Sequence, residues 1–208
     1  MSEYEHEPIR GLPGNLPEGE HILWQGAPEW RSLAKTAMHV RMIGGYFAVI
    51  AIWGILTAAP LLGIVITLGV GIVAVALLAA FGWAASKSTV YTLTNKRLVL
   101  RFGVALPMCI NLPLAQIATA RVQQLGHGMG DIALALTGPE RIGYLRLWPH
   151  ARAWQIGAPE PMLRSLPDVD TVAALLTQTL LAAVPAGRRV ATVDTTPEPA
   201  FGPAATAA

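Results

Sequence analysis

Residues 42–59 read MIGGYFAVIAIWGILTAA, and after Pro60 residues 61–85 read LLGIVITLGVGIVAVALLAAFGWAA. Neither run contains Asp, Glu, Lys or Arg. A helix needs about 20 apolar residues to cross a hydrocarbon core about 30 Å thick. Each run is close to that length, so we expect a transmembrane hairpin that turns at Pro60. The alternative is a pair of core helices, but a small soluble domain could hardly cover two such uniformly apolar helices.

The cationic residues on either side of the two runs predict their orientation. The turn at residues 57–60 carries no charge, whereas the outer ends of both runs are flanked by Arg31, Lys35, Arg41, Lys87, Lys96, Arg97 and Arg101. Lys and Arg concentrate in the cytoplasmic loops of membrane proteins. We therefore expect a multi-pass protein with both termini in the cytoplasm.

The overall composition excludes several classes of protein. Cys109 is the only cysteine, which rules out an intramolecular disulfide and a cysteine cluster for zinc. The net charge of +2 is too small to argue for nucleic-acid binding. The acidic N-terminus and the late first apolar run do not fit a cleavable signal peptide.

Composition shifts divide the chain into five segments. We expect an extended arm at residues 1–17, a first strand with an interfacial lead-in helix at 18–40, and the transmembrane hairpin at 41–86. The main part of a soluble domain follows at 87–184, and a disordered Ala-, Pro- and Thr-rich tail at 185–208. The first strand is predicted at His21–Gln25 and the lead-in helix at Trp30–Val40.

After the hairpin the pattern becomes that of short strands. β-Branched and alternating residues predict strands at Val90–Thr94, Arg97–Phe102, Gln116–Val122, Ile132–Leu136 and Arg141–Trp148. A helix is predicted after Asp168, with Val172, Leu175, Leu176 and Leu180 on one apolar face that can cover the sheet. A third membrane span there is the alternative, although its apolar stretch is short.

Strands followed by one C-terminal helix is the order found in pleckstrin-homology-like (PH-like) domains. The predicted fold class is therefore an α+β membrane protein. In it, a two-helix transmembrane hairpin is inserted after the first strand of a PH-like β-sheet or barrel domain, which a C-terminal helix caps.

Two sets of motifs resemble known families. EHILWQGAP at residues 20–28 and YTLTNKR at 91–97 resemble the bacterial membrane-anchored PH-like domains. LPEGEHILWQG at 16–26, NLPLAQI at 111–117 and YLRLWPH at 144–150 are similar to the PuhB family of photosynthetic-complex assembly proteins.

The PuhB resemblance implies a role in building the reaction centre and its core light-harvesting ring in the inner (intracytoplasmic) membrane of purple bacteria. The implied partners are reaction-centre subunits and possibly core light-harvesting polypeptides. It carries no catalytic residue over to this chain.

Three groups of residues are candidate interaction sites. Two indoles, an Arg and a proline at 148–154 resemble an interaction hot spot, so we expect partner contacts from Trp148, His150, Arg152 and Trp154, although both indoles could instead be buried beneath the C-terminal helix. Lys96 and Arg97 either contact anionic lipid headgroups or form a solvated turn. The small residues Gly63, Thr67 and Gly71 either close the hairpin or face a partner, including a second copy in a homodimer.

No catalytic constellation emerges, and we expect neither an enzyme nor a bound cofactor or metal. The segment Gly126–Gly130 lacks the Lys-Ser/Thr of a phosphate loop and is predicted to be a hairpin turn. His39, just before the first apolar run, leaves a pigment-binding protein as an alternative function. A general PH-like module that binds lipid or protein is another.

Overall fold

The structure is a computed structural model and describes residues 10–137, 143–152, 159–183 and 192–194. The chain divides into two compact units, residues 1–112 and 113–208. The elements of the first unit are β1 (Ile22–Gly26), α1 (Trp30–Thr36), α2 (Val40–Leu56), α3 (Leu61–Ser88), β2 (Val90–Thr94), β3 (Arg97–Phe102) and β4 (Met108–Pro113, which ends at the boundary). Those of the second are β5 (Ile117–Gly126), β6 (Met129–Leu136), α4 (Tyr144–Leu147), β7 (Met162–Leu166), α5 (Val169–Ala183) and β8 (Thr192–Asp194).

The sheet of the first unit has the strand order β1-β2-β3-β4. β1 and β2 are antiparallel neighbours, with Trp24 opposite Leu93 and Gly26 opposite Tyr91. All three helices of this unit are therefore inserted between two adjacent strands. This confirms the α+β class and the insertion of the apolar helices after the first strand.

A cluster of polar contacts joins the segment before β1 to the turn between β2 and β3. The Glu20 carboxylate accepts hydrogen bonds from Arg97 Nε and from the Thr94 hydroxyl, both at 2.8 Å. Asn95 Oδ1 accepts from the His21 backbone N–H at 3.1 Å, and Asn95 Nδ2 donates to the Gly19 carbonyl at 2.9 Å. We call these contacts the β1–β2 latch. They show that the two halves of the PH-like motif, far apart in sequence, bind each other.

The electrostatics of the latch favour an ionised Glu20. The Glu20 side chain is only 2% exposed. Burial acts to raise the pKa of Glu20, but the hydrogen bonds from Arg97 and Thr94 and the positive charge of Arg97 together hold that pKa below its ordinary value. The latch thus contains a buried carboxylate whose ionised form is stabilised by two hydrogen bonds to one of its oxygens.

The N-terminal residues that the structure describes are packed against this sheet. Leu12 is 1% exposed. Gly11 has φ +89°, and a Cβ there would lie 2.6 Å from a Val90 methyl carbon. The extended arm predicted for residues 1–17 is therefore wrong for residues 11 and 12, because an apolar side chain and a close backbone approach tie them to β2. Residues 1–9 lie outside the described part.

α1 packs on the C-terminal two turns of α3. Leu33 is fully buried, and a Cβ at Gly82 would lie 3.2 Å from the Ala34 Cβ. The Ser86 hydroxyl donates to the Pro28 carbonyl at 2.7 Å. The lead-in helix is confirmed at Trp30–Thr36, and α2 begins after His39, whose φ of 52° breaks the helical path.

α3 is the helix that is long and apolar enough to cross a membrane by length and composition. It has 28 residues; its most apolar 18-residue stretch has a mean hydropathy of 2.8, and only 6% of that stretch is buried. α2 passes the same test only together with α1, across a bend of 54°. At 1.5 Å per residue α3 is about 42 Å long.

α2 and α3 pack against each other through small residues. A Cβ at Gly71 of α3 would lie 2.7 Å from the Phe47 Cβ of α2, and one at Gly54 of α2 would lie 3.3 Å from Ile64 of α3. Close backbone approach at small residues is the usual contact between membrane helices.

The sheet of the second unit has the strand order β7-β6-β5-β8. α5 lies on β5 and β6 through its apolar face, where Val172, Leu176 and Leu180 are buried. This confirms the predicted C-terminal helix and its packing face. α5 has 15 residues, fewer than a membrane span needs.

Parts of this unit differ from the sequence-based expectation. Residues 144–147 form a helical turn where a strand was predicted, because Gly143 and Pro149 bound a segment too short for its period to be decisive. β7 was missed because all five of its residues are buried, so that no polar–apolar alternation marks it. β8 pairs in parallel with β5 inside the segment predicted to be disordered. β4 was also missed.

We expect Glu20→Gln to lower the free energy of unfolding by about 2 kcal/mol, because it removes the charge from a buried, charge-assisted hydrogen bond to Arg97. Thermal unfolding of the full chain in detergent measures this. Glu18→Gln is the matched control, since Glu18 is exposed and contributes only its backbone carbonyl, to Lys96. Equal stability of the two variants would contradict a structural role of the latch.

A pair of glycine substitutions tests the α2–α3 packing. We expect Gly71→Ala to destabilise the full chain by about 1–3 kcal/mol, because the new methyl group overlaps the Phe47 Cβ. Gly63→Ala meets no atom within 4 Å and gains helix propensity, so it should be neutral or stabilising. The measurement is the melting temperature of each variant in the same detergent, and a reversed order would show that the helices do not pack in this way.

Candidate interaction surfaces

The segment Trp148–Arg152 holds one exposed indole between buried neighbours. Trp148 is 45% exposed, whereas Leu147 and His150 on either side are fully buried. The backbone N–H of Trp148 donates to the Tyr144 carbonyl at 3.0 Å, and the Trp148–Pro149 peptide bond is cis. The His150 carbonyl accepts from the Met162 N–H at 2.8 Å. The backbone that presents Trp148 is therefore anchored on both sides.

An ion-pair network follows this segment. The Arg152 guanidinium lies 3.1 Å from Glu160 Oε2, and the Arg121 guanidinium of β5 lies 3.6 Å from the same oxygen. The Arg152 N–H also donates to the Glu160 carbonyl at 3.0 Å. Arg152 thus already has an intramolecular partner in Glu160. Trp154 lies outside the described residues.

His150 does not lie on the surface. Burial, with the positive charge of Arg164 added, lowers the pKa of His150 to about 3. The imidazole is therefore neutral throughout the physiological range and faces the core. Of the four residues predicted for partner contact at 148–154, the structure leaves Trp148 as the one that is both described and exposed.

A buried polar cluster around a bulge in β7 was not anticipated from the sequence. Gly130 pairs with Leu166 and Ile132 with Leu163, so that Asp131 lies opposite two residues, Arg164 and Ser165. The Asp131 carboxylate accepts from the Ser165 N–H, at 2.6 Å, and Ser165 has φ 50°. Burial raises the pKa of Asp131, although Arg164 and the Ser165 N–H act in the opposite direction. Only the strand register brings these groups together.

Lys96 and Arg97, predicted as lipid contacts, take part in the β1–β2 latch or lie beside it. Arg97 binds Glu20, and Lys96 Nζ lies 3.2 Å from the Glu18 carbonyl. They stand at the end of β2 opposite to Val90, where α3 leads into the sheet. Five residues of strand place them about 16 Å from the end of α3. Arg97 is thus paired within the protein, whereas Lys96 is exposed, and its contact with lipid stays a prediction.

The three small residues of α3 do not share one environment. Gly71 is buried against Phe47, whereas Gly63 is exposed and has open space around it. The Thr67 hydroxyl donates to the Gly63 carbonyl at 2.9 Å. Gly71 therefore closes the helix pair, and it also lines an open apolar groove of about 320 Å³ with Gly44, Phe47, Ala48, Leu68, Ile72, Val75 and Ala76.

The segment at residues 126–130 and His39, the remaining candidates from the sequence, do not form part of a recognisable site. Gly126, His127 and Gly128 have positive φ in the turn between β5 and β6, which confirms the predicted hairpin turn. His39 Nδ1 lies 3.2 Å from the Ala37 carbonyl oxygen. Within the described residues, His, Cys, Asp and Glu side chains form no group of three that could hold a metal ion.

Comparison with known proteins agrees with this architecture. The bacterial PH domain family model matches residues 39–180, and the chain belongs to that family. PH-like domains of this family are generally non-catalytic. A relative in Rhodobacter capsulatus, an uncharacterized 23.7 kDa protein in the puhA 5′ region, is 34% identical over 186 residues, which cover 85% of this chain and 86% of that protein. The match is consistent with the PuhB resemblance. No solved structure matches.

The buried imidazole predicts a pH-dependent stability. The His150 pKa is about 3 in the folded chain and near 6.5 when unfolded, so the unfolded state takes up the proton first as the pH falls. We expect the free energy of unfolding to drop by up to about 2 kcal/mol between pH 7 and pH 5. The raised pKa of Asp131 acts oppositely, because the folded state there binds the proton more readily.

Chemical unfolding of the full chain at the two pH values measures this change, and His150→Gln should flatten it. If that variant does not fold, histidine-labelled NMR of the native chain decides instead. One imidazole should then stay neutral at pH 5. Protonation of the His150 imidazole at pH 5 would contradict the buried site.

Proposed function

We propose that this protein is a non-enzymatic membrane assembly factor for the photosynthetic reaction centre and its core light-harvesting complex. It acts through protein–protein contacts with reaction-centre subunits and core light-harvesting polypeptides. The observation that carries the proposal is the relative in the puhA 5′ region, which fits a photosynthesis-related role for a bacterial PH domain. The PuhB resemblance points the same way.

The exposed apolar surface of α2 and α3 supports a transmembrane hairpin. Leu61, Leu62 and Ile72 of α3 are 70% or more exposed, and Trp53 and Leu56 of α2 are exposed as well. Large continuous apolar surfaces are rare on proteins that face water. In the hydrocarbon core of a bilayer, exposing this apolar surface carries no hydrophobic penalty.

The contacts of α1 define how much of α3 enters the bilayer. One face of the last two turns of α3, from Gly82 on, is covered by α1 and by the polar contact from Ser86 to Pro28. Residues 61–81 remain, and at 1.5 Å per residue they span about 30 Å, the thickness of the hydrocarbon core. This length supports a full crossing rather than a partial one.

Charge supports an orientation with both ends of the hairpin in the cytoplasm. Arg31 and Lys35 lie on α1, Arg41 lies in the first turn of α2, and Lys87 lies in the last turn of α3. The turn at residues 57–60 is uncharged. By the positive-inside rule, this distribution supports soluble units on the cytoplasmic side of the membrane, which we propose is the bacterial inner membrane.

Trp148 is the residue we propose for contact with an assembly partner. An exposed indole on a backbone anchored at Leu147 and His150 loses little conformational freedom on binding, which is typical of a hot spot. The groove beside Gly71, and a homodimer through the exposed face around Gly63, are further contacts available within the bilayer.

The second candidate is a general PH-like module that binds lipid or protein for another task in the envelope. The family match favours it, because a bacterial PH domain by itself names no partner. The two functions differ in one consequence, since only an assembly factor is needed for photosynthetic complexes to accumulate.

Deletion of the gene in the phototroph that carries it tests the proposal. We expect fewer assembled reaction centres, measured by membrane absorbance and by blue-native electrophoresis, and restoration by the native gene in trans. Normal levels and normal assembly kinetics in the deletion strain would reject the assembly function and leave the general module.

Complementation with a variant tests the surface. Trp148→Ala should restore reaction centres only in part, whereas Leu181→Ala, an exposed apolar residue on α5, should restore them fully. Both variants must accumulate to native levels in the membrane. Full restoration by Trp148→Ala would exclude this indole as the contact without affecting the deletion result.

A further inference from the structure

The turn between β3 and β4 exposes apolar side chains that no element of the fold uses. It reads Gly103-Val-Ala-Leu-Pro107, and within it Leu106 is 80% exposed and Val104 is 46% exposed. We call it the β3–β4 tip. Gly103 has φ +121°, and a Cβ there would overlap the Leu106 carbonyl, so the tip is a tight turn with a defined shape.

The register of the sheet places this tip at the end where the helices are attached. Val90, two residues after the end of α3, pairs with Arg101, and Gly26, at the end of β1 that leads into α1, pairs with Tyr91. β3 therefore runs back toward the helices and ends beside them, and α3 contacts β3. The tip continues β3 beyond that end, whereas the β1–β2 latch lies at the other end.

The charges around this end suit an anionic membrane surface. Five cationic residues lie at this end of the first unit, on α1, at the start of α2, at the end of α3 and at the end of β3. Among the described residues there, Glu29, which caps α1, is the single carboxylate. These cations are Arg31, Lys35, Arg41, Lys87 and Arg101. An apolar protrusion within a cationic rim is the pattern of a segment that enters the interfacial layer of a bilayer.

We propose that the β3–β4 tip inserts into the interfacial layer of the same membrane that α2 and α3 cross. This inference rests on the transmembrane hairpin of the proposed function. The bilayer is the occupant that the observations favour, because the tip is continuous with the surface at which α3 leaves the hydrocarbon. Insertion of Val104 and Leu106 gives the sheet of the first unit a second attachment to the membrane and restrains rotation of that sheet about the end of α3.

Site-directed fluorescence quenching tests the insertion. The full chain with Cys109→Ser has no cysteine, so one can be introduced at a time, labelled with an environment-sensitive fluorophore, and reconstituted into phosphatidylcholine–phosphatidylglycerol vesicles. The sites are Leu106→Cys at the tip, Glu18→Cys at the latch end, and Leu77→Cys on the exposed face of α3.

We expect a blue shift and a loss of fluorescence at residue 106 with lipids spin-labelled near the headgroup. Residue 77 should be quenched by lipids labelled deep in the acyl chains, and residue 18 by neither.

The outcomes separate the two proposals. If residue 77 is quenched and residue 106 is as accessible to the water-soluble quencher as residue 18, insertion of the tip is refuted and the hairpin stands. A blue shift at residue 106 without lipid quenching shows that protein covers the tip and also refutes insertion. If residue 77 is not quenched by deep labels, the transmembrane hairpin itself fails.

Discussion

The pairing of β1 with β2 is the constraint on which the first unit depends. These neighbouring strands are separated in sequence by all three helices of the unit, so their association must overcome the entropy of closing a long loop. The β1–β2 latch supplies polar contacts at the end of the strands far from the helices. The buried Glu20 carboxylate binds both Thr94 and Arg97, which fixes the register and sets where α1 and α3 leave the sheet. The motif halves EHILWQGAP and YTLTNKR are thus explained by a contact between them.

The latch also gives the sheet of the first unit two unlike ends. One end carries hydrogen-bonded polar groups such as Asn95 and Lys96, and the other carries the helices, most of the cationic side chains and the apolar β3–β4 tip. Charge alone does not reveal this difference, because Lys96–Arg97 and Lys87 are all cations near an apolar run. The strand direction decides which of them lies near the proposed membrane and which is used to hold the fold together.

The second unit uses buried polarity for a different purpose. Asp131, Arg164 and His150 are all buried in this unit: the Asp131 carboxylate accepts from the Ser165 N–H, and the Arg164 guanidinium donates to the Ala151 carbonyl. Trp148 is exposed between the buried residues Leu147 and His150. The composition of the segment predicted partner contact for His150 as well, but its side chain is buried and its backbone groups bond Leu147 and Met162.

The sequence by itself determined the elements whose signal is local. The uniform apolarity of residues 42–59 and 61–85 defined two helices, the strands at 90–94 and 97–102 follow from β-branched residues around an Asn-Lys turn, and the periodicity after Asp168 defined α5. Only the tertiary structure decided the rest. β7 is buried at every residue, α4 is too short for a period, and β8 depends on pairing with β5. The environment of each polar residue was likewise non-local, because whether Arg97, His150 or Asp131 faces water depends on packing against residues that lie 14 to 77 positions away in the chain.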